Sequence, residues 1–214
     1  MMHPTVGNGA LQYSANNTMP QSSAKIPASP DETVVQQLSV AKTVLNQAID
    51  LLDNYLTSDD QLAVHSKYLP GSTIGKHLRH ARDHFALLLD CMAKPPPHVL
   101  SYDTRIRNTP METSRSGAKQ ALLDTIQQLD AVVPGSKFDQ PLKLHAITPY
   151  MHEFESTFGR ELWFASLHCV HHWSMVRVIA GELGIKLTDD FGFAPSTLVY
   201  QGEASSTLQQ NGGA

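Results

Sequence analysis

"GRELWFASLHCVHHWSMVRVIAGELG", Gly159 to Gly184, places three of the chain's eleven histidines within five positions. At about 100° of turn per residue, His168 and His172 differ by about 40° around a helix axis and lie one turn apart. Leu162, Ala165, Met175, Val176, Ile179 and Leu183 fall on the same side. The stretch therefore reads as an amphipathic helix whose inner face carries two imidazoles. His171 points about 60° away from His168, toward an interface or a rim. Ser156 or Thr157 suits the start of this helix, and Gly184 suits its left-handed closing position. Trp163 and Trp173 sit at helical spacing and read as packing residues.

Three more helical patterns precede it. The first opens on "SPDET", where Ser29 caps, Pro30 suits the first helical position, and Asp31 and Glu32 favour the positive helix end. Its apolar positions are Leu38, Ala41, Leu45, Ala48, Leu52 and Tyr55. The second, "GSTIGKHLRHARDHFALLLDCM", is preceded by Gly71 and stopped by Pro95-Pro96-Pro97; Ile74, Leu78, Ala81, Phe85, Leu88 and Met92 form its stripe. The third, "SRSGAKQALLDTIQQLDAVV", ends before Pro134-Gly135. Long connections run from Pro95 to about Thr113 and from Pro134 to Glu155, and "LKLHA" in the latter alternates as a short strand would. Four amphipathic helices with two long connections predict an all-α bundle with crossovers over residues 29–200. Residues 1–28 and 201–214 are polar and aperiodic, and disordered tails are expected there.

Composition narrows the function. Net charge is -4, with no run of lysine or arginine, which gives no footprint for nucleic acid or an anionic membrane. No apolar run approaches the roughly 20 residues needed to span a bilayer. The stretch "MMHPTVGNGALQYSANNTMPQ" lacks a basic region followed by an apolar core, so no signal peptide is read and a cytoplasmic protein is expected. Cys91 and Cys169 both fall inside apolar helical patterns and are expected as buried free thiols.

The second helix holds His77, His80 and His84, so six of the eleven histidines occupy two short windows. Imidazoles at i and i+4 can share one cation, and a third ligand must come from another helix. The plainer reading is a histidine-rich core satisfied by mutual hydrogen bonding through water. Burying several imidazoles without partners is costly, and a metal is one way to satisfy them. Projected on a wheel, His77 and His84 flank the apolar stripe more closely than His80, and pattern alone ranks those two ahead.

With "STIGKHLRHARDHF" and the final-helix stretch on view, the chain resembles the DinB-like metal-binding four-helix bundles over roughly Asp31 to Tyr200. The resemblance implies an all-α DinB-like four-helix bundle with long crossover connections. It also implies a divalent ion held by one histidine near the start of the second helix and an H-x-x-x-H pair on the last. Carried over, the ligands are His80, His168 and His172. We follow it over the angular ranking, because the ligand lies near a bundle end and the wheel assumes symmetric packing; His77 and His84 remain alternatives. "HHWSMV" stands where many relatives have His-Arg-Gly-Gln, which leaves the ligands intact and changes the pocket lining. Relatives include thiol-dependent transferases and isomerases and the metal-binding module of a sulfur-oxidising enzyme. The resemblance thus points to a metal-dependent hydrolase or thiol transferase acting on a small molecule, a thiol among the candidates, with a homodimer admitted. Zinc is the first choice of ion, with nickel, iron or manganese as alternatives, since imidazole selects none uniquely. The rival is a non-catalytic bundle that binds a partner or ligand, its histidines structural or metal-storing.

Three further residues are candidates around the site. Glu161 lies near His168 on the wheel but two turns, about 10 Å, below it. It reads as an outer partner of a ligand or, more plainly, as half of an interior ion pair. Arg105 and Arg107 in "SYDTRIRNTPME" point the same way from an extended segment and suit a carboxylate or phosphate, with surface ion pairs the plainer reading. "DDFGFAPSTLVY" is too apolar for a free tail and is expected to pack back on the bundle.

Overall fold

The structure, a computed structural model, describes residues 29–104, 106–194 and 197. The tails expected over 1–28 and 201–214, and the candidate Arg105, lie outside the described residues. Four long helices form the body: α1 (Pro30–Asp50), α3 (Ile74–Met92), α4 (Arg115–Val132) and α5 (Phe158–Glu182), with one short turn, α2 (Asp60–Ala63). All four long helices start on a Ser or Thr whose side-chain oxygen accepts a backbone N–H three residues on. These caps are Ser29, Thr73, Ser114 and Thr157. The final helix closes as its glycine requires. Gly184 sits at φ +73, and the Ile185 and Gly184 N–H groups donate to Ala180 and Gly181.

The apolar stripes set the packing. α1 packs against α4 and α5, and α3 packs against the same two, so α1 and α3 form one diagonal of the bundle and α4 and α5 the other. Leu45, Leu78, Phe85, Leu88, Leu162 and Val176 are fully buried between them, each contributing about 1.5–3 kcal/mol relative to an exposed side chain. Both cysteines are buried and free. Trp173 is fully buried, with its indole N–H donated to the Val44 carbonyl at 2.7 Å. Trp163 departs from its expected packing role: it is half exposed, because it projects about 80° from Trp173 around α5.

α1 does not continue unchanged to Tyr55: Leu51–Tyr55 is a π-turn, with Leu56 N–H donating to the Leu51 carbonyl. The second long connection holds more strand than its alternation showed. β2 (Pro141–Ile147) covers "LKLHA"; it pairs antiparallel with β3 (Met151–Thr157) and parallel with β1 (Val99–Ser101), in the order β1-β2-β3. This small sheet sits on the crossovers and leaves the bundle all-α in its core. The segment after α5 packs back as expected, up to Ala194. Phe191 is buried beside Trp173, and the Arg177 guanidinium donates to the Thr188 and Phe191 carbonyls. Among the described residues, no helix is long and apolar enough to cross a membrane.

Candidate metal centre

α3 and α5 pack face to face and bring both histidine windows together. His80 lies 4.7 to 5.3 Å, ring centre to ring centre, from His84, His168 and His172. One ligand nitrogen each from His80, His84 and His168 lies within 4.8 Å of the other two. His172 joins from the next turn of α5, its Nε2 3.0 Å from His168 Nε2. Four of the six imidazoles in the two windows, His80, His84, His168 and His172, therefore form one cluster. His77 is attached to its edge through a 2.7 Å Nδ1–Nδ1 contact with His172. His171 is exposed, as its angular offset places it.

The hydrogen bonds set the protonation of this cluster. His84 Nδ1 lies 3.0 Å from the His80 carbonyl, which can only accept, so Nδ1 carries the proton and Nε2 of the neutral ring carries a lone pair. His77, His172 and His168 form a directional chain: each contact between two ring nitrogens needs one proton, so one tautomer dictates the other two. His77 Nε2, at the end of that chain, is buried without a hydrogen-bond partner. Burial first, and the neighbouring imidazoles second, push the His168 pKa down to about 3 and the His172 pKa to about 2. His77 is lowered too, by burial and by His171. Neutral imidazoles are the ligand form, so burial keeps the lone pairs that a cation requires. The donor set fits a divalent first-row ion.

The outer candidates divide. Glu161 is fully buried, and its hydrogen bonds run to groups outside the imidazole cluster. Its carboxyl accepts from Tyr102 (2.9 Å), Ser156 (2.5 Å) and Arg160 (2.7 Å), which includes the interior ion pair of the plainer reading. It reaches the cluster through Tyr102, whose ring stacks on His84 at 4.4 Å. Burial and the Glu161 carboxylate raise the Tyr102 pKa well above its ordinary value, so the phenol remains a donor. Nothing local in the sequence marks Tyr102; the pairing of β1 with β2 delivers it. Arg107 lines a cavity of about 460 Å³ together with His77, His80 and His172. Lys76 lines the same cavity and went unmarked in the sequence, although it sits one turn before His80 on the same helix face.

Comparisons with known proteins bear on the family. The FK506-binding protein 5 of Rhizopus delemar is 34% identical over 170 residues, covering 76% of this chain; the chain spans 37% of that protein's length. No solved structure matches the chain. The family model of the DinB superfamily matches residues 37–176, a span that runs from α1 into α5 and takes in every imidazole of the cluster. With most of the bundle, both crossovers and both histidine windows inside that span, the chain belongs to the DinB superfamily.

Proposed function

We propose that the cluster holds one divalent first-row ion and that the protein uses it on a small molecule, as a hydrolase or a thiol-dependent transferase. The observation that carries this reading is the convergence of His80, His84 and His168 nitrogens within 4.8 Å. Tetrahedral ligands about 2.0–2.1 Å from an ion stand about 3.3 Å apart, which modest side-chain rotation reaches. Zinc is our first choice because a neutral all-imidazole set suits it; nickel, iron or manganese would take the same nitrogens. When bound with a position left open, such an ion acts as a Lewis acid toward water, a thiol or a carbonyl. The chain's own residues hold the rings in place. The His80 carbonyl orients His84, and Tyr102 stacks on it under the hold of Glu161. A cytoplasmic setting agrees with two cysteines that are buried and unpaired.

His80 and His168 belong to both candidate ligand sets, and His84 and His172 compete for the third place. A second reading has its own support: beside the three converging imidazoles, His172 lies 4.7 Å from His80 and 4.5 Å from His168, ring centre to ring centre, and a fourth ligand from there would suit a structural or storage site in a non-catalytic bundle. Equilibrium dialysis with elemental analysis of single alanine variants separates these. His80→Ala and His168→Ala should each lose at least about a hundredfold in zinc affinity, because the ligands act on one ion. His171→Ala should retain it. If only one of His84→Ala and His172→Ala empties the site, that residue is the third ligand and a position stays open for substrate. If both do, the closed site stands and the enzyme reading goes. Metal content unchanged in every variant would reduce the cluster to core packing.

A further inference from the structure

The cavity of about 460 Å³ against the cluster is lined by His77, His80 and His172 and also by Lys76, Arg79 and Arg107. Among the described residues its only carboxylate is Glu112, and that charge is already matched: Glu112 Oε1 lies 2.8 Å from Arg79 Nε and also accepts the Asn108 N–H. Arg79 is matched in turn, since it also pairs with Asp83 at 2.8 Å. Lys76 Nζ donates to the Gly71 carbonyl at 2.8 Å, which orients the ammonium without neutralising it. Two positive charges, those of Lys76 and Arg107, thus line a cavity that His77, His80 and His172 also line. Charge-assisted hydrogen bonds from such groups are the strong ones, and a guanidinium beside an ammonium suits a carboxylate or a phosphate.

The geometry points to an anionic small-molecule ligand, whose carboxylate or phosphate is held by Lys76 and Arg107 while its other end lies at the His77, His80 and His172 wall. This rests on the reading of the cluster as a site for small-molecule chemistry and adds the charge of the ligand. The pieces come from separate parts of the chain. Lys76 rides on α3, one turn before His80. Arg107 belongs to the connection after β1, which is clamped to α3 where Glu112 meets Arg79. The cavity is large enough for a metabolite of several heavy atoms rather than an ion alone, which matches ordinary small-molecule sites.

Isothermal titration of the full-length, zinc-treated protein with inorganic phosphate and, separately, with succinate tests this. Zinc content of each sample is measured in parallel. Lys76→Gln and Arg107→Gln should each weaken binding of the preferred probe about tenfold, with zinc content unchanged, and Lys94→Gln, just beyond the far end of α3, should not. The probe bound more tightly identifies phosphate or carboxylate as the anion. Tight binding that survives both substitutions, equal weakening in Lys94→Gln, or no binding of either probe overturns the inference. Zinc content is a separate readout. Zinc bound with anion affinity indifferent to Lys76 and Arg107 leaves the metal reading standing and removes this one. Anion binding that depends on both residues in a protein that takes up no zinc does the reverse.

Discussion

Glu161 shows how a single residue acquires its role from its surroundings. A fully buried carboxyl is costly unless its oxygens are satisfied, and here Tyr102, Ser156 and Arg160 supply three donors. Arg160 is half exposed, so its charge is screened, and the Tyr102 and Ser156 hydroxyls matter most. Tyr102→Phe keeps the ring on His84 and deletes one donor. It should lower the unfolding free energy by about 1.5–3 kcal/mol, the usual range for a hydrogen bond to a charged group, read by urea denaturation. An unchanged midpoint and slope would show that the phenol does not serve Glu161 in solution. Trp163 and Trp173 teach the same point from the apolar side. Both have helical spacing, yet only Trp173 lies on the arc of α5 that meets α1, where Val44 accepts its N–H.

Elements meet at glycines. The first turn of α3 lies against the Pro110–Glu112 turn so closely that a Cβ on Gly75 would fall into the Glu112 backbone. That close approach holds the Arg107 connection beside His77 and His80. Gly75→Ala should therefore cost about 1–3 kcal/mol or more, the overpacking range, since backbone rather than a flexible side chain must shift. Gly181, in the last turn of α5, has nothing within 4 Å of the same position. There, alanine should stabilise by up to about 1 kcal/mol through helix propensity and a less flexible unfolded chain. Thermal melts of the two variants should move in opposite directions. A shared direction would mean that the α3 contact is looser than described.

For the whole molecule, the buried cluster couples folding to pH. His172 titrates near 6.5 when unfolded but is held to about 2 in the fold, and His168 to about 3. Between those values the unfolded chain binds more protons, so stability is fully present above about pH 6.5 and is lost as pH falls toward the folded pKa values. His172 and His168 act in the same direction across that window, so their losses of stability add. Chelator-treated protein should show a urea midpoint that drops from pH 7 to pH 5. Zinc at pH 7 should raise the melting temperature, because only the folded state assembles the ligands. A midpoint flat across that pH range would mean that the imidazoles are solvated rather than packed.

Much of this was legible in residue order, because helices are local. Ser29 with Asp31 and Glu32, the three-four spacing of Leu78, Ala81 and Phe85, and Gly184 after α5 each act within a turn or two of chain. The i, i+4 relation of His168 and His172 is equally local. What depended on contacts between distant segments was decided only in three dimensions. β1 and β3 form because they pair with β2, not because their own alternation demands it. His84 enters the cluster beside His80 because α3 and α5 pack with a particular rotation, which a helical wheel drawn for one isolated helix does not contain. Tyr102 and Arg107 come to the site on a crossover whose path is set by the sheet and by Gly75. The sequence by itself determined the four long helices, their capped starts and the histidine-bearing stretches of α3 and α5. Tertiary packing decided which imidazoles meet and which cations line the cavity beside them, since both depend on the relative placement of elements far apart in the chain.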